Sequence, residues 1–256
     1  MKLVDFFETG HTVDRILNWI KHYFIENGPD CKAIIGISGG KDSTVAAALL
    51  CKALGPDKVI AVKMPQGIQH DIEVANKVIE YLEITESYEI NIGSACESIY
   101  RCIDEGYDFD NKISNNFVVS SNTPARVRMT ILYAIAAERH GRVVNTCNKS
   151  EDYVGYSTKF GDNAGDFSIL ANYTVTEVKK IGEYLELPNE FIEKVPEDGL
   201  SGKTDEESLG FSYKELDEYL LSKITPDYET LKKIEQMHKR NIHKLEPMPT
   251  CPNYNY

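Results

Sequence analysis

Short apolar runs alternate along this chain with longer stretches whose apolar residues recur at helical spacing. Ser87–Ile92 is an expected strand, and Ile34–Ile37, Lys58–Met64 (KVIAVKM) and Val143–Thr146 are each short and rich in aliphatic residues. Gly, Pro, Ser or Asn bounds them, the pattern of buried strands. Apolar residues at 13, 16, 17, 20 and 24 keep a helical period until Asn27-Gly28-Pro29 stops it. Asp42–Leu54, Ile68–Leu82, Ser94–Asp104, Thr176–Leu187, Tyr213–Leu221 and Tyr228–Lys239 also predict helices. Thr123-Pro124 has the form of an N-cap followed by a first-turn proline, so a helix is expected over Ala125–His140. That helix is apolar nearly all round and is expected to be buried on several sides, in the core or against a partner subunit. Gly106–Val119 predicts a loop, and Pro196–Gly210 one that is mobile when empty; a basic, then Pro-rich tail runs over 241–256. No linker or repeat divides residues 1–256. The β-α-β-α-β order implies right-handed crossovers and a single α/β domain with a doubly wound parallel sheet.

One strand-to-helix junction carries chemistry. Ile34–Thr44 reads IIGISGGKDST, an aliphatic strand, a paired-glycine turn and a helix N-terminus, which together form an anion cradle. It is not a Walker A loop, because Ile35 occupies the position of that motif's first glycine and Asp42 follows Lys41. The glycines at 36, 39 and 40 also miss the dinucleotide fingerprint G-x-G-x-x-G. What remains is S-G-G-K-D-S. An acid such as Asp42 beside a polyphosphate implies a cation between them, and Mg²⁺ is expected. This hexapeptide resembles the pyrophosphate loop of the N-type ATP pyrophosphatases, which split ATP into AMP and pyrophosphate.

Composition narrows the partners. A net charge of −12 argues against a nucleic-acid surface, which needs clustered Lys and Arg. No apolar stretch reaches the roughly 18 residues of a membrane span, and MKLVDFFETG lacks the pattern of a signal peptide. The six cysteines contain no C-x-x-C pair, which predicts reduced thiols in a cytoplasmic protein.

Asn145–Asp166 (NTCNKSEDYVGYSTKFGDNAGD) places Glu151, Lys159, Asp162 and Asp166 after a strand end. Taken singly, Asn148 with Glu151 is an N-cap pattern and Gly161-Asp162 a turn. Taken together, a carboxylate and a lysine just beyond a strand's carboxyl end suit a second Mg²⁺ ligand and a phosphate partner.

From Arg126 onward the chain resembles the ammonia-dependent NAD synthetases. The resemblance rests on ARVRM (125–129), YAIA (133–136), NKSE (148–151), Gly155-Tyr156, KFGD (159–162), Gly199-Leu200, Thr204-Asp205-Glu206, Leu209-Gly210, Tyr213, Leu216-Asp217 and His243-Lys244. It implies an adenine-nucleotide α-hydrolase-like, Rossmann-like fold in a homodimer, with the deamido-NAD site built partly at the subunit interface. It also implies Asp42 and Glu151 as Mg²⁺ ligands, and ATP contacts from Gly36, Ile37, Ser38, Gly39, Gly40, Lys41, Asp42, Ser43 and Thr146. Arg126, Lys159, Asp166, His243 and Lys244 match deamido-NAD contacts. Asp42, Glu151 and Lys159 match the catalytic set. Two positions depart from the family pattern, Val175 for an ATP-contacting Lys and Glu197 for a Ser or Thr, and Lys203 is a candidate substitute.

The reaction so implied joins ammonia to the nicotinate carboxylate of deamido-NAD through an acyl-adenylate, giving NAD, AMP and pyrophosphate. It needs no protein nucleophile, and no cysteine lies in a recognisable amidase motif, so free ammonia is the expected nitrogen source. Another N-type ATP pyrophosphatase ligase, adenylating a different carboxylate or carbonyl substrate, is the alternative. His70, His140 and His238 are expected at the surface.

Overall fold

The structure, a computed structural model, describes residues 7–67, 72–106, 112–193 and 204–252 of the 256. Helix α1 (Thr9–Asn27) leads into β1 (Lys32–Gly36), α2 (Lys41–Leu54), β2 (Val59–Lys63), α3 (Ile72–Tyr81), β3 (Glu86–Glu89) and α4 (Gly93–Gly106). Then follow α5 (Phe117–Arg139), β4 (Gly141–Asn145), α6 (Lys149–Val154), β5 (Phe167–Ser168), α7 (Val175–Tyr184) and α8 (Asn189–Ile192). The chain closes with α9 (Asp205–Leu209), α10 (Tyr213–Leu220) and α11 (Tyr228–Asn241).

The sheet order is β3-β2-β1-β4-β5 and every described pair is parallel. Side chains alternate across a strand, so β1 feeds two cores at once. Ala33 and Ile35 face Ile16 and Ile20 of α1, Leu49 of α2 and Ile181 of α7. Ile34 joins Ile60, Val62 and Val143 under Val127, Met129 and Leu132 of α5. Both faces are therefore covered, and the sheet is doubly wound as its sequence predicts. A third cluster, Val154, Val175, Leu209, Phe211, Tyr213, Leu216 and Ile234, packs α9–α11 onto α6 and α7.

Chain order reverses at β1, with β2 on one side and β4 on the other. In such sheets ligands bind beyond the carboxyl ends of the strands at this switch point. The cradle after β1 and the segment after β4 both lie there.

Three expectations change. Helix α5 begins at Phe117, before Thr123, because the Asn116 side chain accepts from the N–H groups of Val118 and Val119. Pro124 accordingly sits inside the helix. Within the expected loop over 196–210, Thr204 caps a helix, Asp205–Leu209, through a capping box with Glu207; residues 196–203, with Glu197 and Lys203, lie outside the described residues. His238 is not a bare surface residue, since its ring stacks on Tyr153 at 4.0 Å. His70 falls outside the described residues, and the two-residue strand β5 was too short to register as a pattern.

The open edge of the sheet is tied down by Glu86 of β3. It accepts from Lys32 Nζ at 2.6 Å and from the Tyr88 hydroxyl at 2.8 Å, and pairs with Arg139 at 2.9 Å. Lys32 above all, then Tyr88 and Arg139, hold this carboxyl below the usual range against the opposing effect of burial. A carboxyl lowered by folding adds stability above its unfolded value of about 4.3, and loses it as pH falls through the lower folded value. Glu86→Gln is therefore expected to cost about 1 kcal/mol at pH 7. Thermal melts from pH 7 to pH 3 should show the variant and the parent converging in acid; a gap that persists at pH 3 would refute the linkage.

Candidate active site

The cradle forms as its sequence predicts. Gly39 has φ 79°, a left-handed conformation that suits glycine. Gly40 N–H donates to Ser38 Oγ at 3.2 Å, and Ser43 Oγ donates to the Gly40 carbonyl at 3.0 Å. Gly40 is the N-cap of α2 and no side chain caps that helix. The positive end of α2 is thus turned toward the mouth of the sheet.

A cavity of about 370 Å³ opens there, lined by Ser38, Gly40, Asp42, Ser43, Thr146 and Glu151 among the expected residues. Cys147, Tyr156, Asp162 and Asp205 line it too. Gly36 ends β1, Ile37 is buried and extends the strand by donating to the Val62 carbonyl, and Gly39 makes the turn; all three shape the cradle from behind.

Lys41 is only 3% exposed. Its Nζ lies 2.8 Å from Asp42 Oδ2 and 5.8 Å from the Tyr213 ring centroid. Burial pulls this amine down, but Asp42, then Glu151 and Asp205, outweigh it and push it up to about 12. Glu151 is the opposite case. Burial and the Asp42 charge drive its carboxyl well above the usual range, with Lys41 as the main offset. One ammonium thus faces three carboxylates.

Helix α6 holds Glu151 in place. Asn148 caps it, and Asn148 N–H donates to Glu151 Oε2 at 3.3 Å, completing a capping box. From below, the buried Asp217 of α10 accepts from Ser150 Oγ and from Thr176 N–H, the latter at 2.7 Å, so α6, α7 and α10 meet on one carboxylate. Val175 belongs to the same packing. It is buried with Leu209 and Phe211, and its N–H donates to Ser150 Oγ at 3.2 Å.

The expected nucleotide-substrate residues form a second group. Arg126 Nε donates to the Lys159 carbonyl at 3.2 Å, and Lys159 Nζ donates to the His243 carbonyl. Lys244 Nζ donates to the carbonyls of Gly155 and Ser157 at 2.7 and 2.8 Å. Arg126, Lys159, His243 and Lys244 are therefore brought together, and Lys159 sits with this group and does not line the cavity. Asp166 stands apart from them: its carboxylate accepts from Val143 N–H at 2.7 Å and from the Tyr133 hydroxyl at 3.3 Å.

Among the cavity residues that no role was assigned to beforehand, Asp205 had a legible signal. Thr204…Glu207 is a capping-box pattern and fixes Asp205 in a first helical turn. Asp162 was read as a turn residue; its carboxylate accepts from Thr158 N–H at 2.9 Å while its carbonyl accepts from Asn145 Nδ2 at 2.9 Å. Nothing in the sequence marks Cys147.

A divalent cation suits this donor set. Asp42 and Glu151 are hard oxygen donors, each raising the cost of the other's charge, and each carboxylate oxygen keeps a further lone pair beside the hydrogen bonds described. Among the described residues no group of three or more His, Cys, Asp or Glu could hold a metal by itself, so phosphate oxygens would have to complete its shell.

A doubly wound parallel sheet whose first strand ends in S-G-G-K-D-S, with a second carboxylate across the switch point, defines an N-type ATP pyrophosphatase. Within that class the chain belongs to the NAD synthase family, whose model matches residues 12–248. It is 39% identical over 248 residues to the NH(3)-dependent NAD(+) synthetase of Methanocaldococcus jannaschii, spanning 93% of this chain and 90% of that protein. The corresponding enzyme of Thermococcus sibiricus is 43% identical over 188 residues, 73% of this chain and 70% of that one. Among solved structures, NMN synthetase from Francisella tularensis superposes with a TM-score of 0.86 at 35% identity, over 97% of this chain and all of that one. The activity is that of an ammonia-dependent NAD-synthetase-like ligase that uses a nucleotide. No helix among the described residues is long and apolar enough to cross a membrane.

Proposed function

We propose that this protein amidates deamido-NAD with ammonia, at the expense of ATP, to give NAD, AMP and pyrophosphate. The observation that carries the proposal is the opposition of Asp42 and Glu151 across the mouth of the α2 cradle. A pyridine carboxylate is a poor acceptor for ammonia because its charge is delocalised. One of its oxygens attacks the α-phosphorus of ATP, the α–β P–O bond breaks and pyrophosphate leaves. Ammonia then adds to the acyl carbon, its surplus proton goes to solvent, and the C–O bond to AMP breaks.

Ser38, Gly40 and Ser43 would hold the phosphates, with Thr146 at the nucleotide's side. Asp42 and Glu151 would hold Mg²⁺, which when bound offsets charge building on the leaving pyrophosphate. Lys41 keeps the carboxylates from repelling one another. Arg126, Lys159, His243 and Lys244 would take the anionic second substrate, and Asp166, hydrogen-bonded to β4, would contact it from beside that strand. Most of the catalytic effect is the holding of two anions in register. Burial pushes up the thiols of Cys51, Cys96 and Cys147, which disfavours a reactive thiolate at these three positions. Thr130, Tyr133, Ala134 and Ala137 form an exposed, weakly polar stripe on α5, which supports a homodimer.

A second reading has one specific support. The Francisella structure is that of an NMN synthetase, so nicotinic acid mononucleotide is the competing substrate. Incubation with ATP, Mg²⁺ and ammonium, with either the dinucleotide or the mononucleotide, separates the two. NAD with AMP is the expected product pair, and glutamine in place of ammonium should give none. Amidation of the mononucleotide alone would select the second reading, and ADP as product would overturn both. Light scattering of the same preparation reads the dimer.

A further inference from the structure

Asp42 and Glu151 belong to different elements, the first turn of α2 and the first turn of α6, and one side chain touches the machinery of both. Asn148 is fully buried. Its Oδ1 accepts from the N–H groups of Ser150 and Glu151, both at 3.0 Å. Its own N–H donates to Glu151 Oε2 at 3.3 Å. These three bonds make a complete capping box and leave the side-chain NH₂ spare. That group donates to Asp42 Oδ1 at 3.0 Å. The other oxygen of Asp42 is held by Lys41 at 2.8 Å.

A cap alone does not call for this residue. Helices α7, α9 and α10 are closed by the same box built on Thr174, Thr204 and Ser212, whose hydroxyls cap without reaching a neighbouring element. Serine, aspartate and asparagine serve about equally as N-caps. What asparagine adds at α6 is a donor on the far side of the same planar amide, aimed at a carboxylate of another helix. The orientation of the amide is fixed by its partners, since two N–H groups demand the oxygen and a carboxylate demands the nitrogen.

We propose that Asn148 is a positioning residue for the divalent cation: its amide locks the rotation of Asp42 relative to Glu151, and so sets how tightly the cation of the nucleotide complex is held. The proposal rests on the reading of Asp42 and Glu151 as cation ligands. Groups that orient metal ligands in this way typically contribute 10–100-fold to affinity or activity.

Asn148→Ser keeps a capping oxygen and removes the reach to Asp42, while Asn148→Ala removes both. The experiment titrates Mn²⁺ by electron paramagnetic resonance in the presence of α,β-methylene-ATP, which cannot be split between its α and β phosphorus atoms. Thermal melts of the metal-free protein and the Mg²⁺ dependence of turnover accompany it. Asn148→Ser is expected to melt close to the parent, to bind Mn²⁺ roughly 10–100-fold more weakly, and to recover much of its kcat at high Mg²⁺. Asn148→Ala should melt lower and share the metal defect. Parental Mn²⁺ affinity in Asn148→Ser would overturn the proposal, as would a melting loss equal to that of Asn148→Ala with an unchanged Mg²⁺ dependence. If the parent itself binds no Mn²⁺ with the analogue, the reading of Asp42 and Glu151 as ligands falls, and the role of Asn148 falls with it.

Discussion

Glu151→Gln is expected to lose turnover by about 10²–10³-fold, the scale of removing one charge-stabilising group from a catalytic site, without losing stability. Glutamine keeps the acceptor that Asn148 N–H requires, so the capping box of α6 survives. It also deletes a charge that burial and Asp42 make unfavourable in the metal-free protein. Turnover and thermal melts on the same preparation check both halves. A variant that keeps near-parental turnover would remove Glu151 from the cation site, and one that melts far below the parent would show its role to be structural.

Lys41 is expected to behave in the opposite way. It is the cation facing Asp42, Glu151 and Asp205, and it is almost entirely enclosed. Lys41→Met keeps much of the volume and removes the charge. Stranding buried carboxylates in this way costs about 3–5 kcal/mol. Chemical denaturation should show that loss without divalent cation, and millimolar Mg²⁺ with ATP should restore more stability to the variant than to the parent. Equal stability with and without the lysine would mean that the carboxylates are already neutral.

The centre of the sheet was legible because β1, β2 and β4 are largely buried and appear as aliphatic runs between strong helical stripes, whereas the edge strands β3 and β5 carry no such run. The start of α5 was hidden for a local reason. Thr123-Pro124 makes a convincing cap, whereas Asn116 caps with no proline or acid after it to flag the fact. Helix α9 was hidden by the glycines around it, although Thr204 and Glu207 spell its first turn. In the site, the S-G-G-K-D-S cradle and Glu151 could be read because each follows a strand end. Asp205 could not be paired with them from sequence, since only the packing of α9–α11 on α6 and α7 carries it to the cavity. The environment of Lys41 was likewise out of reach, because Glu151, Asp205 and the Tyr213 ring reach it from positions far along the chain.

Helix α6 is six residues long, which makes it a rod of about 9 Å. Glu151 stands near its start, and at its far end Gly155, with φ 66°, lies so close to Asn241 that any Cβ there would collide with it. Asn241 Nδ2 donates to the Val154 carbonyl at 2.9 Å, and Lys244 grips the next turn of chain. The final helix is therefore bolted to the opposite end of the same short lever that carries the carboxylate. Anchoring at residues 241–244 thus fixes the far end of the segment whose first turn carries Glu151, so the packing of the last helix helps to place that carboxylate.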